Sequence, residues 1–89
     1  MNEAVPPLDA DTVRQWIVNY ISSVLEISAD EVTASASFAA LGMDSVEAVL
    51  MAGVMEEDFG IQIEPSMIFD DPSIDGLIAA FRRVGIVAA

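Results

Sequence analysis

The stretch "FAALGMDSVEAVLMAGVMEEDFG", residues 38–60, decides how the chain is read. Ser45 to Phe59 predicts a helix, with Gly60 just past its end as a C-terminal cap. On a helical wheel Ala48, Met51, Ala52, Met55 and Phe59 form one apolar arc. Val46, Val49, Leu50 and Gly53 form a second arc on another side. A helix apolar almost all round is normally buried. The rest of the chain offers too few helices to cover it, so one arc is expected to be partly exposed. An exposed apolar patch rimmed by acids, here Glu47, Glu56, Glu57 and Asp58, is a candidate docking surface. The competing reading is that the long segment 26–42 seals the second arc, as loops do in small cores. Gly53 costs this helix about 1 kcal/mol against Ala. It either permits another backbone to approach closely or is simply tolerated.

Working outward, Val13, Trp16, Ile17, Tyr20, Ile21, Val24 and Leu25 recur at steps of three and four, which predicts an amphipathic helix from about Asp9. Asp9 and Asp11 stand at its start, where acids suit the helix dipole. Residues 26–42 have no clear period and read as an ordered loop, pinned by Ile27, Val32, Phe38 and Leu41. "PSMIFD", 65–70, holds one short helical turn. Asp71-Pro72 is a break, and Ser73 is a candidate N-cap for a last helix carrying Ile74, Leu77, Ile78 and Phe81 on one face. Arg82 and Arg83 sit at its C-terminal end, where cations are favoured. There is no convincing alternating strand and no repeat. The expected fold is all-α: a small bundle of three main helices plus one short helix, with a long first loop. The expected organisation is a lead-in over 1–8, one domain over 9–84 and a tail over 85–89.

Composition narrows the function. The chain has 89 residues, 54% of them hydrophobic, which suits one small domain with a thin core. Fifteen acids face three arginines and no lysine, for a net charge of −12. That sign opposes nucleic acid and anionic membranes, and favours a partner with a basic patch. No apolar run reaches the roughly 20 residues of a membrane-spanning helix. The N-terminus lacks the apolar segment of a signal peptide. With no Cys there is no disulfide. These features point to the cytoplasm, although an excised domain would look the same; the initiating Met and short tails lean towards a free-standing protein.

Asp44 and Ser45 lie between a Gly-containing turn and a helix start. In isolation such a pair reads as routine capping. Three features argue for more. Ser45 follows a Gly turn and should project outward. It opens a helix whose free N–H groups and dipole favour a phosphate there. The same helix carries the spare apolar arc. With no His, Lys or Cys, Ser45 lacks the usual partners that activate a nucleophile. It reads as a substrate of another enzyme, and the chain as non-catalytic.

"FAALGMDSVEAVLM" resembles the F-x-x-L-G-x-D-S signature of acyl carrier proteins, and the resemblance extends over roughly 9–83. It implies that Ser45, with Asp44 beside it in the motif, receives a 4'-phosphopantetheine arm from coenzyme A through a phosphopantetheinyl transferase. The arm's thiol would carry acyl groups as thioesters. It further implies that Val46, Glu47, Val49, Leu50, Gly53, Glu56 and Glu57 face partner enzymes of ketosynthase, acyltransferase or ligase type, and that the carrier is a monomer.

Two departures refine the resemblance. No extra acid precedes Leu41-Gly42, and Leu50 stands where carriers of fatty-acid synthesis often place an acid. The first looks more like carriers of modular polyketide assembly lines, and the second argues against generic fatty-acid synthase partners and fits specialised biosynthesis better. Peptidyl carriers are similar too, but tend to have Gly-His or a like pair where this chain has Met43-Asp44. An acidic helical interaction module that is never modified is the other alternative. "DPSIDGLIAAFR", 71–82, mimics a calcium loop at Asp71, Ser73, Asp75 and Gly76. Arg82 stands where that loop needs a bidentate Glu, so no metal site is expected.

Overall fold

The computed structural model describes residues 7–88. Most of the lead-in, residues 1–6, and Ala89 of the tail lie outside them. Five α-helices follow in order: α1 (Ala10–Leu25), α2 (Phe38–Leu41), α3 (Ser45–Phe59), α4 (Pro65–Phe69) and α5 (Ile74–Arg83). There is no named strand among the described residues, and no helix long and apolar enough to cross a membrane. The three longer helices and short α4 are the expected bundle. Segment 26–42 departs from the loop reading: it holds a 3-10 turn at Ala29–Glu31 as well as α2. Both elements are too short to display a period, which is why the sequence pattern misses them.

Local chemistry sets the helix ends. Asp9 caps α1 by accepting the Thr12 amide N–H. Ser37 caps α2 through the Ala40 amide, and Ser73 caps α5 through the Gly76 amide at 2.9 Å. Gly42 and Gly60 end α2 and α3 at φ 104° and 66°, where a side chain would be strained. Gly76 serves differently. A Cβ there would collide with the backbone carbonyl and side chain of Asp71, so the 70–72 turn packs directly on the first turn of α5.

The core is built from Val13, Ile17 and Ile21 of α1, Ala48, Met51 and Met55 of α3, Ile68 of α4, and Ile74, Leu77, Ile78 and Phe81 of α5. These are the faces that the periodicity selects. Of the loop pins, Val32 and Phe38 are buried, while Ile27 and Leu41 are half-buried against the core. The first loop is held by one backbone bond to the turn before α5, Phe38 N–H to Pro72 O at 2.7 Å, and one from the first turn of α5, Asp75 N–H to Ala34 O at 3.0 Å. It is therefore tied to the α5 side.

The chain ends correct the expected boundaries. Leu8 and Val87 form a parallel bridge. Leu8 N–H donates to Ile86 O at 2.7 Å, and Ala88 N–H to Leu8 O at 3.0 Å. Val87 is fully packed in the core. Leu8 is thus not free lead-in, and 85–88 is not free tail. A single bridge has no alternating run to announce it, and burial of Val87 supplies the reason that the segment folds back.

Candidate carrier site at the start of α3

Ser45 is the first residue of α3, and its placement is fixed from both sides. Upstream, the Gly42 amide donates to Ala39 O and the Met43 amide to Phe38 O, which closes α2 in a tight turn. Met43 is buried and anchors that turn. Downstream, Asp44 and Glu47 form a capping box: Asp44 Oδ1 accepts the Glu47 amide at 2.8 Å, and Glu47 Oε1 accepts the Asp44 amide at 3.2 Å. The capping that an Asp-Ser pair can provide is done by Asp44. Ser45 is left exposed, its hydroxyl not needed by the cap.

The second arc of α3 is open. Val46, Leu50 and Val49 are 65%, 60% and 53% exposed, and Gly53 is exposed beside them. The loop that competed to seal this arc is tied to Pro72 and Asp75 instead. A Cβ on Gly53 would meet nothing within 4 Å, so within this chain the glycine answers to no close approach.

The acids expected to rim this surface divide. Glu57 is exposed. Glu47 belongs to the capping box. Glu56 is half-buried, and its Oε2 accepts the Ile63 amide N–H at 2.8 Å. Asp58 Oδ2 accepts the indole N–H of Trp16 at 2.9 Å. Three of the four therefore have structural work alongside any role at a surface.

Phe69 was missed by sequence reasoning. It is 48% exposed and lines two hollows together with Ser45. One is a cleft of about 130 Å³ also lined by Met43, Ala48, Ile68 and Pro72. The other is a shallower hollow of about 250 Å³ also lined by Val46, Val49 and Leu50. The signal was available. Ile68 and Phe69 are adjacent in a short helix, and neighbours do not share a face, so one of two large apolar residues had to point outward.

No cluster of potential metal ligands occurs among the described residues. The calcium-like stretch is accounted for otherwise, with Ser73 capping α5 and Gly76 packed on Asp71.

Comparison with known proteins agrees with this geometry. Residues 15–81 match the family described as the phosphopantetheine attachment site. The chain is similar to the acyl carrier protein TtuC of Teredinibacter turnerae, 33% identical over 72 residues, covering 81% of this chain and 83% of that one. It is also 28% identical over 68 residues to the Cluster 41 polyketide synthase of Aspergillus flavus, covering 76% of this chain but spanning only 6% of that protein's length. In fold it is similar to an acyl carrier protein of Anabaena with a variant phosphopantetheinylation-site sequence. That match has a TM-score of 0.78 at 20% identity and covers 96% of this chain and 97% of the other. An all-helical bundle that leaves a serine uncapped and exposed at the head of its most apolar helix, matched by these relatives, belongs to the phosphopantetheine-attachment family as an acyl carrier protein.

Proposed function

We propose that Ser45 is the attachment site of the 4'-phosphopantetheine arm, that a phosphopantetheinyl transferase installs it, and that the chain itself performs no chemistry. The observation that carries this reading is the division of labour at the head of α3: Asp44 caps, and the Ser45 hydroxyl stays available to solvent. In the transfer, Ser45 Oγ attacks the phosphorus that bears the pantetheine group of coenzyme A. A new P–O bond forms, adenosine bisphosphate leaves, and the hydroxyl proton passes to a base of the transferase.

The site suits a phosphodiester. The amides of Ser45 and Val46 fall in the first turn, where no carbonyl lies one turn back to receive them, and the helix dipole favours negative charge there. The arm when bound supplies the thiol on which acyl groups travel as thioesters. The chain's own residues orient the attachment point and present the surface beside it.

Partners are proposed to read the face formed by Val46, Val49, Leu50 and Gly53, with Phe69 at its edge and Glu57 as its freest acid. Their docking surfaces would pair an apolar contact with basic side chains, as expected for enzymes of ketosynthase, acyltransferase or ligase type. Leu50 and the polyketide-synthase relatives support service in specialised biosynthesis. Intact-mass measurement after incubation with coenzyme A and a transferase tests the assignment. One added arm on the parent and none on Ser45→Ala is the expected result. Peptide mapping that placed the arm on Ser22, Ser37, Ser66 or Ser73 would overturn it. No addition with any transferase would favour an unmodified interaction module.

A further inference from the structure

Trp16 stands on a part of the surface away from the face proposed above for partners of Ser45. Its indole is half-buried on α1 and stacked on Tyr20, with ring centroids 5.3 Å apart and planes 11° from parallel. It tilts against Phe59 at 5.7 Å. Its N–H is given to Oδ2 of Asp58, which leaves Oδ1 for another donor. Beside the indole lies an open hollow of about 390 Å³ lined by Trp16, Asn19, Tyr20, Val24, Val54 and Asp58. Val24 and Val54 are large apolar side chains exposed at its walls. Asp58 is thirteen residues along α3 from Ser45, about 20 Å at 1.5 Å per residue, and the hollow shares no lining residue with the clefts at Ser45.

Among the described residues no salt bridge pairs the acids at this end of α3. The last turn of α3 carries Glu56, Glu57 and Asp58 and no basic residue. That is the end of the helix where carbonyl groups already make the potential negative and a cation is favoured. From Gln15 to Phe81 the chain has twelve acids and neither Lys nor Arg. Arg14, the nearest arginine in sequence, is paired with Asp11 at 2.9 Å.

An aromatic stack, a carboxylate with a free oxygen and apolar walls together match a guanidinium group. Its plane stacks on a ring, its N–H groups reach the carboxylate, and its three-carbon stem lies along valine side chains. We infer that this hollow is a docking site for an arginine side chain of a partner protein, on a surface separate from the one around Ser45. A lysine fits less well, because its compact ammonium has no plane to stack and is more strongly hydrated.

Trp16 is the sole tryptophan of the chain, so its fluorescence reports on the hollow directly. The test titrates the full-length protein at low salt with a blocked tetra-arginine peptide and, separately, a blocked tetra-lysine peptide. Tetra-arginine is expected to change the emission saturably and to bind about fivefold tighter than tetra-lysine. Asp58→Asn keeps an oxygen to accept the indole N–H while removing the charge, and should weaken tetra-arginine about fivefold. Glu64→Gln removes a charge from an exposed residue that makes no side-chain cap, and should weaken it less than about twofold. The inference is overturned if the emission does not change, if tetra-lysine binds as tightly as tetra-arginine, or if Glu64→Gln costs as much as Asp58→Asn. The last two results would report general attraction to an acidic surface. None of these measurements involves Ser45 or its arm.

Discussion

Glu56 accepts the amide N–H of Ile63 at 2.8 Å and so ties the connection after α3 back onto the helix. Glu57, one residue on, is exposed and tied to nothing of the kind. Adjacent acids of one rim therefore divide into an anchor and a free charge, and their reversals should be distinguishable. Glu56→Lys should lower stability by about 1–3 kcal/mol, since it removes a charged acceptor from a part-buried amide. Glu57→Lys should leave thermal melting nearly unchanged and slow acyl loading, an effect that added salt should diminish in the parent. Loading rates over a salt series, read beside melting curves, check both. If Glu57→Lys loads at the parental rate at low salt, the acid serves solvation alone.

At the head of the helix, Asp44 and Ser45 should separate in the same manner. Ser45→Ala is expected to lose the arm while melting with the parent, because Asp44 does the capping. Asp44→Ala breaks the capping box and should cost about 0.5–2 kcal/mol. A Ser45→Ala protein destabilised as much as Asp44→Ala would return the hydroxyl to a structural role.

Leu50 and Met55 test the two arcs of α3. Leu50 is mostly exposed, and Met55 is fully buried. Leu50→Ala should change stability little yet slow transfer to a cognate enzyme, because apolar anchors dominate interface energetics. Met55→Ala should cost about 2–5 kcal/mol. In a domain of this size that approaches the total stability. Melting and loading assays on the two variants decide the assignment, and a Leu50→Ala protein that melts far below Met55→Ala would contradict it.

Gly76→Ala is expected to destabilise although alanine is the better helix former. The new methyl group would meet the Asp71 backbone, so the turn before α5 must shift, at a cost of about 1–3 kcal/mol for overpacking. Denaturant unfolding of Gly76→Ala beside Gly53→Ala makes the comparison internal. Gly53 has open space above it, and alanine there should stabilise by up to about 1 kcal/mol.

Sequence alone rendered α3 from Ser45 to Phe59, its capping glycine and its two arcs, because a fifteen-residue helix spans enough turns for period and caps to agree. The exposed Ser45 and the open Val46–Leu50 face followed from that register. What escaped was short or distant in sequence. The four residues of α2 are about one turn, and one turn has no period. Trp16 and Asp58 meet across 42 positions, so neither neighbourhood hints at the other. Glu56 reads as surface charge from sequence because its partner is a backbone amide in the next connection, which side-chain patterning does not register.

The parallel bridge between Leu8 and Val87 has a mechanical consequence. Tension applied through the two ends of a parallel pair pulls the segments past each other along their length. The bonds from Leu8 to Ile86 and from Ala88 to Leu8 are then loaded together, in shear, and cannot be peeled one at a time. Extraction of Val87 from the core opposes the same motion. A bundle whose helices would otherwise unravel from their tips is thereby latched at the point where force enters it.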